Sequence, residues 1–323
     1  MKCGKFEDSF LAENIFNAIK HKRVEVLQGS GTGIDCAVLD LQGDLVAVTT
    51  DPITAATVNM GQLCVHICCN DIAAEGAEPV AIFVTMLTPP DVKTDEIKTI
   101  AKDINAACAQ LNVQLAGGHT EKTDAVRRIV LSATAIGRKP NKRQQAVEVG
   151  DWLIMTKGAA YEAGSIIASD YYEKISSVLQ KEQIEFLKNL INEISVLPES
   201  KIAMRHGAKR MHDITEGGVL GAAWEISRAA GCNIQVLCDD ILIHPEIKKV
   251  CKHLGLDPLR LMSSGSLLIA CGETDGTGML KELKKSGIEA RKVGIFTQED
   301  SSYVCGEKKM ALTEPAEDEI YKL

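Results

Sequence analysis

Met211-His212-Asp213-Ile214-Thr215-Glu216-Gly217-Gly218-Val219-Leu220 is the stretch on which the reading of this chain turns. From Met211 to Ala230 the pattern is a strand, a turn and a helix, with the acid Asp213 delivered beside glycines where the helix begins near Val219. Backbone N–H groups at Gly217 and Gly218 are free of side-chain obstruction and suit a phosphate, and the Asp213 carboxylate suits a hard cation. The plainer reading is a tight turn with an acidic cap.

Three other segments share this design: Gly31-Thr32-Gly33-Ile34-Asp35, Thr49-Thr50-Asp51 and Asn70-Asp71. One such aspartate is more often a turn residue than a ligand, so the weight lies in their combination. Magnesium takes oxygen ligands, keeps several waters and is commonly held by one or two carboxylates together with nucleotide phosphates. Asp35, Asp51, Asp71 and Asp213 are therefore the candidate ligands, with glycine amides from Gly29 to Gly33 and at Gly217-Gly218 as phosphate donors. Neither a Walker A lysine motif nor a properly placed dinucleotide fingerprint is present, so another nucleotide-binding fold is required.

Working outward, the 323 residues suggest two domains, each able to bury a core at 45% hydrophobic and 25% charged residues. A net charge of −8 disfavours sequence-independent nucleic-acid binding. No apolar run approaches the roughly 20 residues needed to span a bilayer, and the start of the chain lacks a secretory pattern. Eleven scattered cysteines, many in apolar segments such as Cys64 to Cys69, read as reduced thiols. The expectation is a cytoplasmic protein that binds neither membrane nor nucleic acid.

Helical spacing over Met60 to Ala74 is followed by a buried strand at Val80 to Met86, a helix over Thr94 to Leu111 capped by Thr94, and a strand at Val113 to Ala116 that stops at Gly117-Gly118. Cys36 to Leu41 and Leu45 to Thr50 read as a hairpin across Gln42-Gly43-Asp44. A polar, basic connection over Arg138 to Gln145 marks the boundary, giving domains at 1–140 and 148–323. The second restarts with strands at Trp152 to Thr156, Ser266 to Ala270 and Glu289 to Ile295 among helices. The fold class is mixed α/β (α+β).

Some single residues carry two readings. Lys157, between a strand and Gly158, is a phosphate contact or a solvated turn lysine. His119, after two glycines, is a proton carrier or phosphate contact, or an ordinary loop imidazole. Glu216 is a general base or a first-turn acid favoured by the helix dipole. Cys64, Cys68 and Cys69 with His66 read as packed thiols rather than a metal site.

The order of motifs resembles the AIR synthase-related superfamily, which includes aminoimidazole-ribonucleotide synthetase, selenophosphate synthetase, thiamine-monophosphate kinase and a hydrogenase-maturation branch. The carrying segments are Gly31 to Val38, Thr49 to Asp51, Gly61 through Asn70-Asp71 to Glu78-Pro79, Gly117-Gly118-His119-Thr120-Glu121, and His212 to Gly218. Leu254 to Leu259 and Ser264 to Ala270 look most like the hydrogenase-maturation branch.

The resemblance implies ATP and Mg²⁺ as cofactors, a homodimer whose N-terminal domains join sheets into an inter-subunit β-barrel, and a C-terminal α/β sandwich. It implies that Asp35, Asp51, Asp71 and Asp213 hold metal and phosphates, and that Gly31, Gly33, Asn70, Gly117, Gly118, Thr215, Gly217 and Gly218 line the nucleotide cleft. It places His119 and Glu121 in the same cleft, and His119, Glu121 and Glu216 are the candidate catalytic residues. Ile34 stands where many relatives carry a second Asp, and Glu216 where the maturation branch typically has Arg. That branch ends in a cysteine that receives a carbamoyl group, whereas this chain reads Glu319-Ile320-Tyr321-Lys322-Leu323 at its end and has its last cysteine at Cys305.

The expected activity is ATP-dependent phosphorylation or activation of a substrate oxygen, on a small molecule or a protein. A kinase like the thiamine-monophosphate branch and a nucleotide-binding assembly subunit without chemistry are the alternatives.

Overall fold

The computed structural model describes residues 4–5, 10, 13–28, 38–41, 45–140, 145–315 and 317–323. It separates into two compact units, one of Met1–Ile72 with Ala77–Asn141, the other of Ala73–Gly76 with Lys142–Leu323. Gly31, Gly33 and Asp35 lie outside the described residues.

The first unit contains strands β1 (Gly4–Lys5), β2 (Val26–Gln28), β3 (Val38–Leu39), β4 (Leu45–Ile53), β5 (Glu78–Thr88), β6 (Gln114–Lys122) and β7 (Val130–Lys139), with helices α1 (Met60–Ala74) and α2 (Thr94–Leu111). Its five-stranded sheet has the order β1-β6-β5-β7-β4. Only β5 and β6 are parallel, and α2 makes the crossover between them. Along β7, Leu131, Ala133 and Ala135 are buried. On the same face the Ile72 side chain lies so close to Gly137 that a Cβ there would come within 2.2 Å of it, which seats α1 on the sheet. Gly61 permits a close approach of α1 to the Ile100 carbonyl of α2, where a Cβ would come within 2.6 Å of that oxygen.

Three expectations are corrected here. Val38–Leu39 pairs with Val26–Gln28 in a separate two-stranded sheet, while β4 pairs along its whole length with β7, so the two runs are not hairpin partners. Strand β6 does not stop at the glycines but runs through Gly117-Gly118 to Lys122. The cap of α2 is Lys93, which makes no side-chain cap bond; Thr94 is already helical. Pro79 is tolerated inside β5 because the register with β7 shifts there, sparing a missing N–H.

The second unit contains β8 (Trp152–Thr156), α3 (Tyr161–Asp170), α4 (Tyr172–Ile175), α5 (Lys181–Asn189), α6 (Leu197–Arg205), β9 (Arg210–Asp213), α7 (Gly218–Ala230), β10 (Asn233–Leu237), α8 (Pro245–Leu254), β11 (Leu267–Cys271), α9 (Glu273–Lys285), β12 (Ala290–Thr297), β13 (Ser302–Cys305) and β14 (Lys308–Ala311). Its mixed sheet runs β14-β13-β10-β12-β8-β11-β9. The apolar stripe of α7, including Val219, Leu220, Ala223 and Ile226, packs with Leu153, Ile234, Val236, Leu268 and Phe296 into one core. No described helix is long and apolar enough to cross a membrane.

Candidate functional site

In the first unit the period of two along β4 puts Thr49, Asp51 and Ile53 on the face that α1 covers, and Val48, Thr50 and Pro52 on the other. The last turn of α1 brings Asn70, which is buried, and Asp71 over that same face. One hydroxyl joins the two acids: Thr49 Oγ1 donates to Asp71 Oδ2 at 2.7 Å and lies 3.4 Å from Asp51 Oδ2. Two carboxylates 20 positions apart in sequence thus converge, as hard oxygen donors on a rigid strand and a rigid helix.

The glycines of β6 have a steric cause. Gly118 has φ +147°, and a Cβ there would stand 1.9 Å from the Val84 carbonyl oxygen, so no other residue fits. Beyond it, His119 and Glu121 pair with Thr85 and Leu87 of β5, and His119 Nε2 lies 3.1 Å from Glu121 Oε2. Asp51 is in register with Ala133, Ala133 with Val84, and Val84 with Gly118. His119 follows that row and points to the opposite face, away from α1. Three strand spacings, roughly 14 Å, separate the rows at β4 and β6. The structure therefore brings Asp51 to Asp71, and His119 to Glu121, but keeps the two pairs apart within one copy of the unit.

In the second unit Asp213 ends β9, buried, and Thr215 and Glu216 form the turn before α7, with Glu216 exposed. Gly217 and Gly218 have φ +83° and +63°, and a Cβ on Gly218 would come within 2.7 Å of the Leu259 and Leu261 carbonyl oxygens. Close packing therefore demands the second glycine. The amide of Gly217 is engaged: it donates to Asp318 Oδ2 at 2.8 Å, while Ile320 N donates to Asp318 Oδ1 at 2.9 Å. A carboxylate from the end of the chain thus sits where a phosphate was expected. Burial, opposed by its amide donors and reinforced by Glu216, pushes the Asp318 carboxyl up to about 6.

Glu162, in the first turn of α3, is also buried, and accepts a hydrogen bond from Ser264 Oγ at 2.6 Å. Burial pushes it up to about 7, with the charges of Asp318 and Asp213 acting in the same direction and Ser264 against. Asp213 and Asp318 thus both act on Glu162, and Asp318 also holds the Gly217 amide. Neither Glu162 nor Asp318 was among the sequence candidates. The one available signal was an acid inside the apolar run Ala159-Ala160-Tyr161-Glu162-Ala163.

Lys157 has φ +53° and turns its ammonium inward. Nζ donates to the carbonyls of Glu193, Ser195 and Gly265 at 2.7, 2.6 and 3.1 Å and pairs with Glu199 Oε1 at 2.7 Å. Three N–H donors with four oxygen partners leave none for a phosphate, so this geometry gives Lys157 a structural task in place of the expected contact. His66 and the three thiols of α1 are buried, and no described cluster of three or more His, Cys, Asp or Glu has metal-site geometry. A pair of carboxylates still fits Mg²⁺, whose remaining ligands are ordinarily water and phosphate.

Residues 33–139 match the family described as AIR synthase related protein, N-terminal domain, and residues 148–305 match its C-terminal domain. The chain is 28% identical to a protein of Methanocaldococcus jannaschii named as a hydrogenase expression/formation protein, over 79% of this chain and 76% of that one. In fold it is similar to crystalline E. coli HypE, with TM-score 0.81 at 20% identity over 97% and 98% of the two chains. It is also similar to the hydrogenase maturation protein HypE solved in complex with ATP, with TM-score 0.74 at 18% identity over 94% and 93%. Two matched domains in order, carried on a mixed α/β scaffold of two units, make this chain a member of the AIR synthase-related family.

Proposed function

We propose that the chain is an ATP- and Mg²⁺-dependent enzyme that activates or phosphorylates an oxygen of its substrate. The observation that carries this reading is the convergence of Asp51 and Asp71 on the Thr49 hydroxyl. The HypE relative with bound ATP supports the nucleotide. Mg²⁺, when bound, would neutralise charge developing on the transferred phosphoryl group.

The chain's own residues would do the rest. Asp51 and Asp71 hold the cation, with Thr49 fixing one carboxylate by its single proton. Asp35 is proposed as a further ligand. Asn70, Gly117 and Gly118 line the nucleotide. His119 accepts the substrate proton, and Glu121, 3.1 Å away, stabilises the imidazolium that results.

We propose further that the active form is a homodimer. Leu45, Val46 and Val48 of the edge strand β4 are all more than half exposed, which is costly for a solitary sheet and favourable if a second copy covers it. Pairing the open sheet faces would bring His119 and Glu121 to the subunit junction.

A second reading is favoured by one observation. The Gly217 amide is held by Asp318, as expected of a nucleotide-binding assembly subunit whose C-terminal segment caps that turn permanently. Inorganic phosphate release from ATP, measured against candidate small molecules and carbamoylated protein thiols, separates the two. Release that depends on a substrate and falls at least tenfold in His119→Ala supports the enzyme. No release with any substrate, despite tight ATP binding, supports the assembly subunit.

A further inference from the structure

Among the nine described cysteines, Cys64, Cys68, Cys69 and Cys108 sit together but wholly buried in the first unit, whereas Cys238 and Cys305 are neighbours of which one is partly exposed. Strands β10 and β13 are parallel, with Leu237 in register with Val304. Cys238 opens the 3-10 turn that follows β10, Cys305 ends β13, and the two thiols are within hydrogen-bonding reach of each other. Neighbouring strands lie about 4.8 Å apart, inside the span of roughly 4.4–6.8 Å between Cα atoms that a disulfide bridges. The turns beyond them are tied together as well: Gly306 N donates to Asp239 Oδ2 at 3.0 Å. Cys238 belongs to the core and Cys305 packs against it while staying partly exposed.

We infer that Cys238 and Cys305 form a reversible intrachain disulfide, a thiol switch that fastens the β13–β14 hairpin to the end of β10 when a peroxide is present. Cys305 is the accessible member and reacts first: its sulfur attacks a peroxide oxygen, the O–O bond breaks, water leaves, and Cys305 becomes a sulfenic acid. The Cys238 sulfur then attacks the Cys305 sulfur. The S–S bond forms, the S–O bond breaks, and a second water carries away the hydroxyl and the Cys238 proton. Two thiols and one hydrogen peroxide give one disulfide and two waters. Burial and the hydrogen bond with Cys305 push the Cys238 thiol up, which keeps it protonated and unreactive until its neighbour is oxidised.

The test uses the full-length reduced protein, treated with a small excess of hydrogen peroxide, blocked with N-ethylmaleimide in denaturant, digested with trypsin and mapped without reduction. The expected product joins the peptide bearing Cys238 to the peptide bearing Cys305, and a phosphine reductant removes it. Cys232 shares the Cys238 peptide, so the assignment is made in a Cys232→Ser background. Cys238→Ser should abolish the linked peptide and leave Cys305 as a sulfenic acid that dimedone traps. The inference is overturned if both thiols remain free to alkylate after peroxide treatment, or if Cys305 links instead to another cysteine or to a second copy.

Discussion

Replacing Glu162 by Gln should flatten the pH dependence of stability in the second unit. The Glu162 carboxyl moves from an ordinary 4.5 to about 7 on folding, chiefly through burial. An acid whose folded value is raised favours the native state when protonated. Its contribution is complete below about pH 4.5 and is lost as pH rises through about 7. At about 1.4 kcal/mol per unit, this group alone makes the native state about 2–3 kcal/mol less stable at pH 8 than at pH 5. Asp318, raised to about 6, and His212, which burial lowers but Glu225 at 2.9 Å and Asp213 together raise, act in the same sense. Both remain in the variant, so a reduced slope persists. Gln keeps a carbonyl to accept from Ser264 Oγ but carries no charge at any pH. Both tryptophans, Trp152 and Trp224, lie in this unit, so urea unfolding followed by tryptophan fluorescence reports on it directly. With a slope of about 1–3 kcal/mol/M, the gap between the midpoints at pH 5 and pH 8 should narrow by about 1–2 M in Glu162→Gln. Profiles that run parallel in the two proteins would refute the argument.

Lys157→Met should cost about 3–5 kcal/mol in the same unfolding assay, because it strands the buried Glu199 carboxylate and three carbonyls. A loss under 1 kcal/mol would mean that the ammonium is not the pin it looks to be. Gly218→Ala meets two carbonyl oxygens at 2.7 Å with φ +63°, and should lose about 2 kcal/mol or more; a neutral outcome would contradict the tight turn. Asp318→Ala should raise the hydrogen-exchange rate of the Gly217 amide at least tenfold by removing its acceptor, and unchanged protection would show that another group caps that turn.

What could be read from the sequence follows the range of the interactions involved. Met60–Ala74 and Trp152–Thr156 show in their spacing because local periodicity sets their existence. Strand β6 does not, since Gly117-Gly118 reads as a stop and only the approach of Val84 explains Gly118 inside a strand. The pairing of Val38–Leu39 with Val26–Gln28 instead of with β4 is a choice between distant partners that alternation does not record. Asp51 and Asp71 were legible as acids at element ends, but their meeting at Thr49 was not. Asp318 had no signal at all, because its role depends on a glycine 101 positions earlier. The Gly217-Gly218 turn was read for its amides, whereas the fold uses Gly218 for packing and gives the Gly217 amide to the chain's own carboxylate.

Calorimetric titration with a non-hydrolysable ATP analogue, with and without Mg²⁺, bears most directly on the central claim. The wild-type chain should bind at least tenfold tighter with Mg²⁺, and Asp51→Asn and Asp71→Asn should each erase that gain while thermal unfolding followed by far-ultraviolet circular dichroism, which reports on both units, stays unchanged, because each substitution removes only a charge. Equal affinity with and without Mg²⁺, or Mg²⁺-dependent binding that survives both substitutions, would contradict it.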